Sequence, residues 1–261
     1  MRIFITGDTH GDFSSIHTFC EKMNTTVKDI LIIVGDSGIN YNVNSFHNSQ
    51  YSYEDTQENL CFKNYLSYLP ITLFCIQGNH EAPAELVKGY HLIQNVHPLF
   101  KEQSVFLQDN YPNILFANEG EVYNFLGKSV AILGGAYSVD KNYRIALNRN
   151  WFPEEQPVIT GKDKLFLKNL ETYNWKVDIV LSHTCPFHYM PTEMFLSGIQ
   201  QDLVDNTTEE FLEHVEKKLN YKQWYCGHFH TDKTVDKIKF LFHNIITFIE
   251  DNEVPNDKTQ Y

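Results

Sequence analysis

Five short polar clusters interrupt the apolar runs of this 261-residue chain: Gly7-Asp8-Thr9-His10, Gly35-Asp36, Gly78-Asn79-His80, Ser182-His183 and Gly227-His228-Phe229-His230. They offer carboxylate, amide-oxygen and imidazole donors and require no thiolate. Such a set suits borderline or hard divalent metals, Mn²⁺, Fe or Zn²⁺, and supplies enough donors for a binuclear centre. Singly, a Gly-Asp or Gly-Asn dipeptide after a strand is ordinary turn chemistry. Five polar clusters, each placed behind an expected strand, need another explanation, because open α/β sheets put ligands beyond the carboxyl ends of their strands.

The elements that must position these clusters are legible in the apolar pattern. Residues 3–6, 30–34 and 71–76 read as strands buried on both faces. Between them, Phe13, Ile16, Cys20 and Met23 repeat at helical spacing, and Leu60, Tyr65, Leu66 and Leu69 form a second helix closed by Pro70. Residues 38–53, rich in Asn, Ser and Tyr and without an apolar period, are expected to be a surface loop that rims a pocket. Strands are expected over 114–117, 121–126 and 129–133, with Gly127-Lys128 as a hairpin signal. Helices over 162–173 and from 208 to about 219, and strands over 177–181 and 223–226, follow; residues 235–249 read as a closing hairpin. Residues 1–250 are expected to form one domain and 251–261 a polar, frayed tail.

In the order Asp-x-His, Gly-Asp, Gly-Asn-His, His, Gly-His-x-His, across residues 7–230, the chain resembles the calcineurin-like metallophosphoesterases. The resemblance implies an α/β fold, a four-layer α/β/β/α sandwich of two mixed β-sheets flanked by helices, with the metal site on loops at one edge. It implies that Asp8, His10 and His230 bind one divalent ion, that Asn79, His183 and His228 bind a second, and that Asp36 bridges both, with Mn²⁺ preferred over Fe or Zn²⁺. The implied activity is a metal-dependent phosphoric ester hydrolase, in which a metal-bridging hydroxide attacks a phosphomonoester or phosphodiester in line. His80 would then be catalytic without binding metal, as the acid for the leaving oxygen or as an electrostatic stabiliser.

The phosphoprotein phosphatases of the same superfamily share the look of Gly7-Asp8-Thr9-His10-Gly11 and Gly78-Asn79-His80-Glu81. Their second motif continues Gly-Asp-x-Val-Asp-Arg-Gly, whereas this chain has Gly35-Asp36-Ser37-Gly38-Ile39-Asn40-Tyr41. Ile39 stands where a carboxylate orients the histidine, Asn40 where an arginine binds phosphate, and Gln77 where another arginine commonly precedes Gly-Asn-His. The pattern is nearer to the broad bacterial and phage phosphoesterases. A protein phosphatase and a non-catalytic scaffold that keeps the fold are the alternatives.

For the substrate, whose identity is open, Arg144 and Arg149 are candidate phosphate clamps and Tyr137 a candidate packing surface. A solvated loop anchored by Trp151 explains the same segment equally well. His17 and His214 read as ordinary surface histidines, and His188 as structural. The formal charge, 21 − 33 = −12, argues against general nucleic-acid binding, while bound cations reverse the sign locally. Five scattered cysteines without a CxxC pair predict reduced thiols and a cytoplasmic protein. No apolar stretch is long enough to span a bilayer, so no membrane partner is expected.

Overall fold

Alternation along the central strands sets the layers. In β1 (Arg2–Thr6) Ile3 and Ile5 point to one side and Phe4 to the other. After helix α1 (Ser14–Met23), β2 (Ile30–Ile33) repeats the pattern, with Ile30 and Ile32 opposed to Leu31 and Ile33. Successive side chains leave a strand on opposite faces, so a strand that is apolar throughout needs a core on each side.

The computed structural model describes residues 1–46, 48, 50–100 and 103–250, so the expected tail beyond 250 lies outside the described residues. After β2 come β3 (Val43–Ser45), β4 (Tyr53–Asp55), α2 (Gln57–Ser67), β5 (Thr72–Cys75), β6 (His91–Ile93), β7 (Val105–Leu107) and β8 (Ile114–Ala117). The second half holds β9 (Val122–Phe125), β10 (Lys128–Leu133), α3 (Lys141–Ala146), α4 (Pro157–Thr160), α5 (Lys162–Thr172), β11 (Ile179–Ser182), α6 (Thr207–Glu216), β12 (Gln223–Cys226), β13 (Lys233–Val235), β14 (Ile238–Phe240) and β15 (Ile246–Glu250).

The first sheet has the order β15-β1-β2-β5-β8-β7-β6, and the second β13-β14-β12-β11-β10-β9. Their centres are parallel: β1, β2, β5 and β8 in one, β10, β11, β12 and β14 in the other. Ile3, Ile5, Ile32 and Phe74 meet Phe125, Val130 and Leu181 in the core between the sheets. Phe4, Leu31 and Leu73 pack outward onto Ile16 and Cys20 of α1 and Leu66 of α2. On the far side Ala131, Val180 and Trp224 cover Phe166 and Leu170 of α5 and Leu212 and Val215 of α6. Three cores separate four layers, which is the α/β/β/α sandwich.

Two expectations need correction. The segment expected to be a loop over 38–53 holds β3 and leads into β4, a small antiparallel ribbon whose residues are half-buried or exposed apart from Val43. Near the end of the chain, β13 and β14 form a hairpin in the second sheet, but β15 leaves it and pairs antiparallel with β1 in the first. The Gly127 hairpin does close β9 onto β10, with Leu126 at φ 51° and Gly127 at φ 81°, the left-handed pair that a two-residue hairpin turn uses. All five cysteines are unpaired, and no helix among the described residues is long and apolar enough to cross a membrane.

Candidate metal centre and active site

The five polar clusters follow the carboxyl ends of β1, β2, β5, β11 and β12. The first three strands are consecutive parallel neighbours in one sheet, and the last two are parallel neighbours in the other. Five loops from two sheets therefore meet at one edge. Backbone bonds tie them: His10 N–H donates to the Asp36 carbonyl at 2.8 Å, and Gly227 N–H to that of His183 at 2.9 Å. Two carboxylates are held by backbone donors as well, Asp36 Oδ1 by His80 N–H at 2.8 Å and Asp8 by His228 N–H at 2.9 Å.

The donor atoms converge in two groups. In one, His10 Nε2 and His230 Nε2 lie 2.9 Å apart, and the latter is 3.4 Å from Asp8 Oδ2. In the other, Asn79 Oδ1 lies 2.8 Å from His183 Nε2 and 3.1 Å from His228 Nδ1. Asp36 Oδ2 stands between them, 3.9 Å from His10 Nε2 and 3.6 Å from His183 Nε2. His183 Nδ1 faces the Val34 carbonyl at 2.9 Å. A carbonyl only accepts, so Nδ1 carries the proton and Nε2 is left to face the cluster.

Holding these groups together is costly. His10, Asp36, His228 and His230 all have φ between 46° and 66°, the left-handed region that costs a non-glycine residue about 1–2 kcal/mol. Gly78 meets a different constraint, because a Cβ there would overlap the Asp36 carboxylate and its backbone nitrogen. Burial opposes charge on His183, but the adjacent Asp36 carboxylate and its hydrogen bond prevail and raise its pKa to about 10. Burial, with the His183 cation beside it, drives His228 the other way, to about 3. A cluster that concentrates carboxylates, a cation and strained backbone is arranged for something it must bind. Asp8, His10 and His230, and Asp8, Asp36 and His183, each offer ligand atoms within 4.8 Å of one another, which fits a divalent cation.

A family model described as calcineurin-like phosphoesterase matches residues 1–232. The chain belongs to that family. No curated protein matches the sequence. Among solved structures, the phosphopantetheinyl hydrolase PptH from Mycobacterium tuberculosis is similar at 14% identity over 92% of this chain and 88% of that one, with a TM-score of 0.47.

Around the cluster lies a shell that the sequence did not disclose. Asn79 Nδ2 donates to Ser138 Oγ at 2.9 Å, and Ser138 in turn donates to Glu155 Oε2 at 2.5 Å. Glu155 also accepts from Trp151 Nε1 at 2.9 Å and is 2% exposed. The chain of bonds fixes the Asn79 amide so that its oxygen, not its nitrogen, faces His183 and His228. Glu81 does the same for the second and third loops, accepting from Ser37 Oγ at 2.5 Å and Gly78 N–H at 3.1 Å. Burial and the Asp36 charge raise its pKa to about 7.

The residues that depart from the phosphoprotein-phosphatase pattern face away from the site. Ile39 is buried in the outer core, Asn40 Oδ1 accepts from Tyr90 Oη at 3.1 Å, and Gln77 Nε2 donates to the Glu154 carbonyl at 3.2 Å. His80 meets other partners in this chain. The Arg144 guanidinium lies against its ring nitrogens, and Asp140 Oδ1 is 3.9 Å from Nε2. Arg144 is 3% exposed, pairs through Nε with Asp140 Oδ2 at 2.8 Å, and lines neither of the two cavities that reach the site. Arg149 is exposed and also lines neither, whereas Tyr137 lines the second. His188 stands outside them, 3.3 Å from Glu213.

Proposed function

We propose that this phosphoesterase holds two divalent cations and hydrolyses a phosphate ester whose phosphoryl group binds beside His80. The observation that carries the reading is the convergence of six donor residues in two groups around a seventh, Asp36, with four of the seven on strained backbone. Asp8, His10 and His230 would hold one ion and Asn79, His183 and His228 the other, with Asp36 shared and Mn²⁺ the preferred metal. Two such ions polarise phosphoryl oxygens, lower the pKa of bound water and neutralise charge on the displaced oxygen.

The chain's own residues orient and complete this chemistry. His80 is common to both cavities, which supports its assignment to the leaving oxygen. The Arg144 guanidinium lies against both ring nitrogens of His80 and holds the ring in place. A proton on that ring can be given to, or shared with, a departing alkoxide. Asp140, in the reach of both Arg144 and His80, supports the arrangement from outside.

The test is turnover of metal-reconstituted protein against a panel of phosphomonoesters, phosphodiesters, nucleotides and phosphopeptides. Hydrolysis of at least one class, abolished by a chelator and reduced about 10²–10⁴-fold in His80→Ala, is the expected result. A panel without any metal-dependent turnover overturns the proposal.

A further inference from the structure

We infer that the ester cleaved here carries an uncharged, apolar alcohol, whose chain lies in the cavity walled by the segment between β11 and α6; this rests on the phosphoesterase reading of the site. The cavity has a volume of about 350 Å³ and shares Asp36, Asn79 and His228 with the metal cluster, a size within the usual range for small-molecule sites. Its wall comes from Met190, Met194, Phe195, Leu196 and Ile199, with Val139 and Phe229 also lining it. These side chains are not fully covered: Met194 is 40% exposed, Leu196 65% and Val139 38%. An apolar wall left in water beside a reaction centre gains free energy when an apolar group covers it. Methionines adapt that wall to chains of irregular shape.

Charge decides what the occupant is not. Besides Asp36, which the ions would share, and Asp140, which Arg144 pairs, the cavity's acids are Asp205 and Glu209, and neither lysine nor arginine is among its described lining residues. A second phosphate or a carboxylate on the alcohol, held away from the ions by the length of its chain, would find no lysine or arginine on this wall to pair with. The other cavity, of about 450 Å³ and lined by His10, Tyr41, Asn42, Glu58 and Phe62 among others, is mixed in character, and the two meet at His80. A phosphoryl group bound beside His80 thus has an apolar cavity on one side, which is the selectivity that the exposed Arg149 does not supply.

The experiment is calorimetric binding of methylphosphonate and n-octylphosphonate to the Mn²⁺-reconstituted protein, which needs no turnover. Full burial of a methylene strengthens binding about fourfold, and a partly open wall reduces that to about two- or threefold. Over its seven additional methylenes the octyl compound is therefore expected to bind about 10²–10³-fold more tightly than the methyl compound. Leu196→Asp, at a position exposed enough to leave folding intact, is expected to remove most of that ratio. An octyl chain that ends in a carboxylate is expected to lose it too. Equal affinity of the two phosphonates, a ratio unchanged in Leu196→Asp, or tight binding of the carboxylate-ended chain overturns the inference while the phosphoesterase reading stands. Failure of both phosphonates to bind overturns the two together.

Discussion

Glu155→Ala tests whether the shell behind the cluster positions the metal ligands. Glu155 is 2% exposed and accepts three bonds, from Ser138 Oγ at 2.5 Å, Ser138 N–H at 3.2 Å and Trp151 Nε1 at 2.9 Å. Its loss strands three donors, each at about 1–3 kcal/mol before relaxation, so the total destabilisation is on the order of 3–5 kcal/mol. At about 2–4 °C per kcal/mol for a chain of this size, the metal-free melting temperature should fall by roughly 6–20 °C. The second effect is specific: Ser138, no longer oriented, releases Asn79 Nδ2, and the amide is free to turn its nitrogen toward His183 and His228. Metal affinity should drop about 10–100-fold, read by calorimetric titration of chelator-stripped protein. Leu170→Ala, in the core between the second sheet and its helices and outside the hydrogen-bonded shell, supplies a variant of comparable instability. If Glu155→Ala keeps wild-type metal affinity, or loses no more than Leu170→Ala, the shell is a stability element and the positioning argument fails.

Three further outcomes follow from the same geometry. Arg144→Ala should lower kcat on alkyl esters more than on aryl esters, because it disturbs His80, whereas Arg149→Ala, at an exposed position, should match the wild type on both; equal losses on the two ester types would remove His80 orientation as the cause. Gly78→Ala should cost about 1–3 kcal/mol by overpacking and displace Asp36, so that metal affinity falls along with the melting temperature; unchanged affinity would show that the loop absorbs the methyl group elsewhere. The His183 pKa of about 10, above the ordinary 6.5, means that the metal-free site holds a proton there which metal must displace. Apparent affinity should therefore rise with pH through the neutral range, about tenfold per unit from this group, and level off as pH passes its folded pKa; titrations in buffers of different ionisation enthalpy that detect no released proton would contradict this.

Much of the site was written locally. Residues 3–6, 30–34 and 71–76 are buried at every position, and apolar at all but Thr6 and Thr72, because each strand lies between two cores, and the donors follow closely in sequence. The β3–β4 ribbon left no such trace, since most of its side chains meet no core and need no period. β15 alternates like a hairpin partner of β14, yet its partner is β1, and local alternation does not name a partner across the chain. The same distance hid the shell. Ser138 and Asn79 are 59 residues apart, and nothing near either one announces the bond. Arg144 could be picked out as a guanidinium near the site, but its burial depends on Asp140 and on the packing of α3, which the sequence did not disclose as a helix.

The central claim is that two ions share Asp36 and that hydrolysis depends on them. It is tested most directly by metal content per chain measured alongside turnover, for the wild type and Asp36→Asn. Asparagine keeps the shape, still accepts from His80 N–H and tolerates the left-handed backbone at φ 49°, so the variant isolates the charge. Close to two ions per wild-type chain are expected, with turnover that vanishes with them on chelation, and an Asp36→Asn protein that folds but retains neither the second ion nor the activity. Full turnover by chelated protein free of metal, or an Asp36→Asn chain that binds both ions with unchanged affinity, would contradict it.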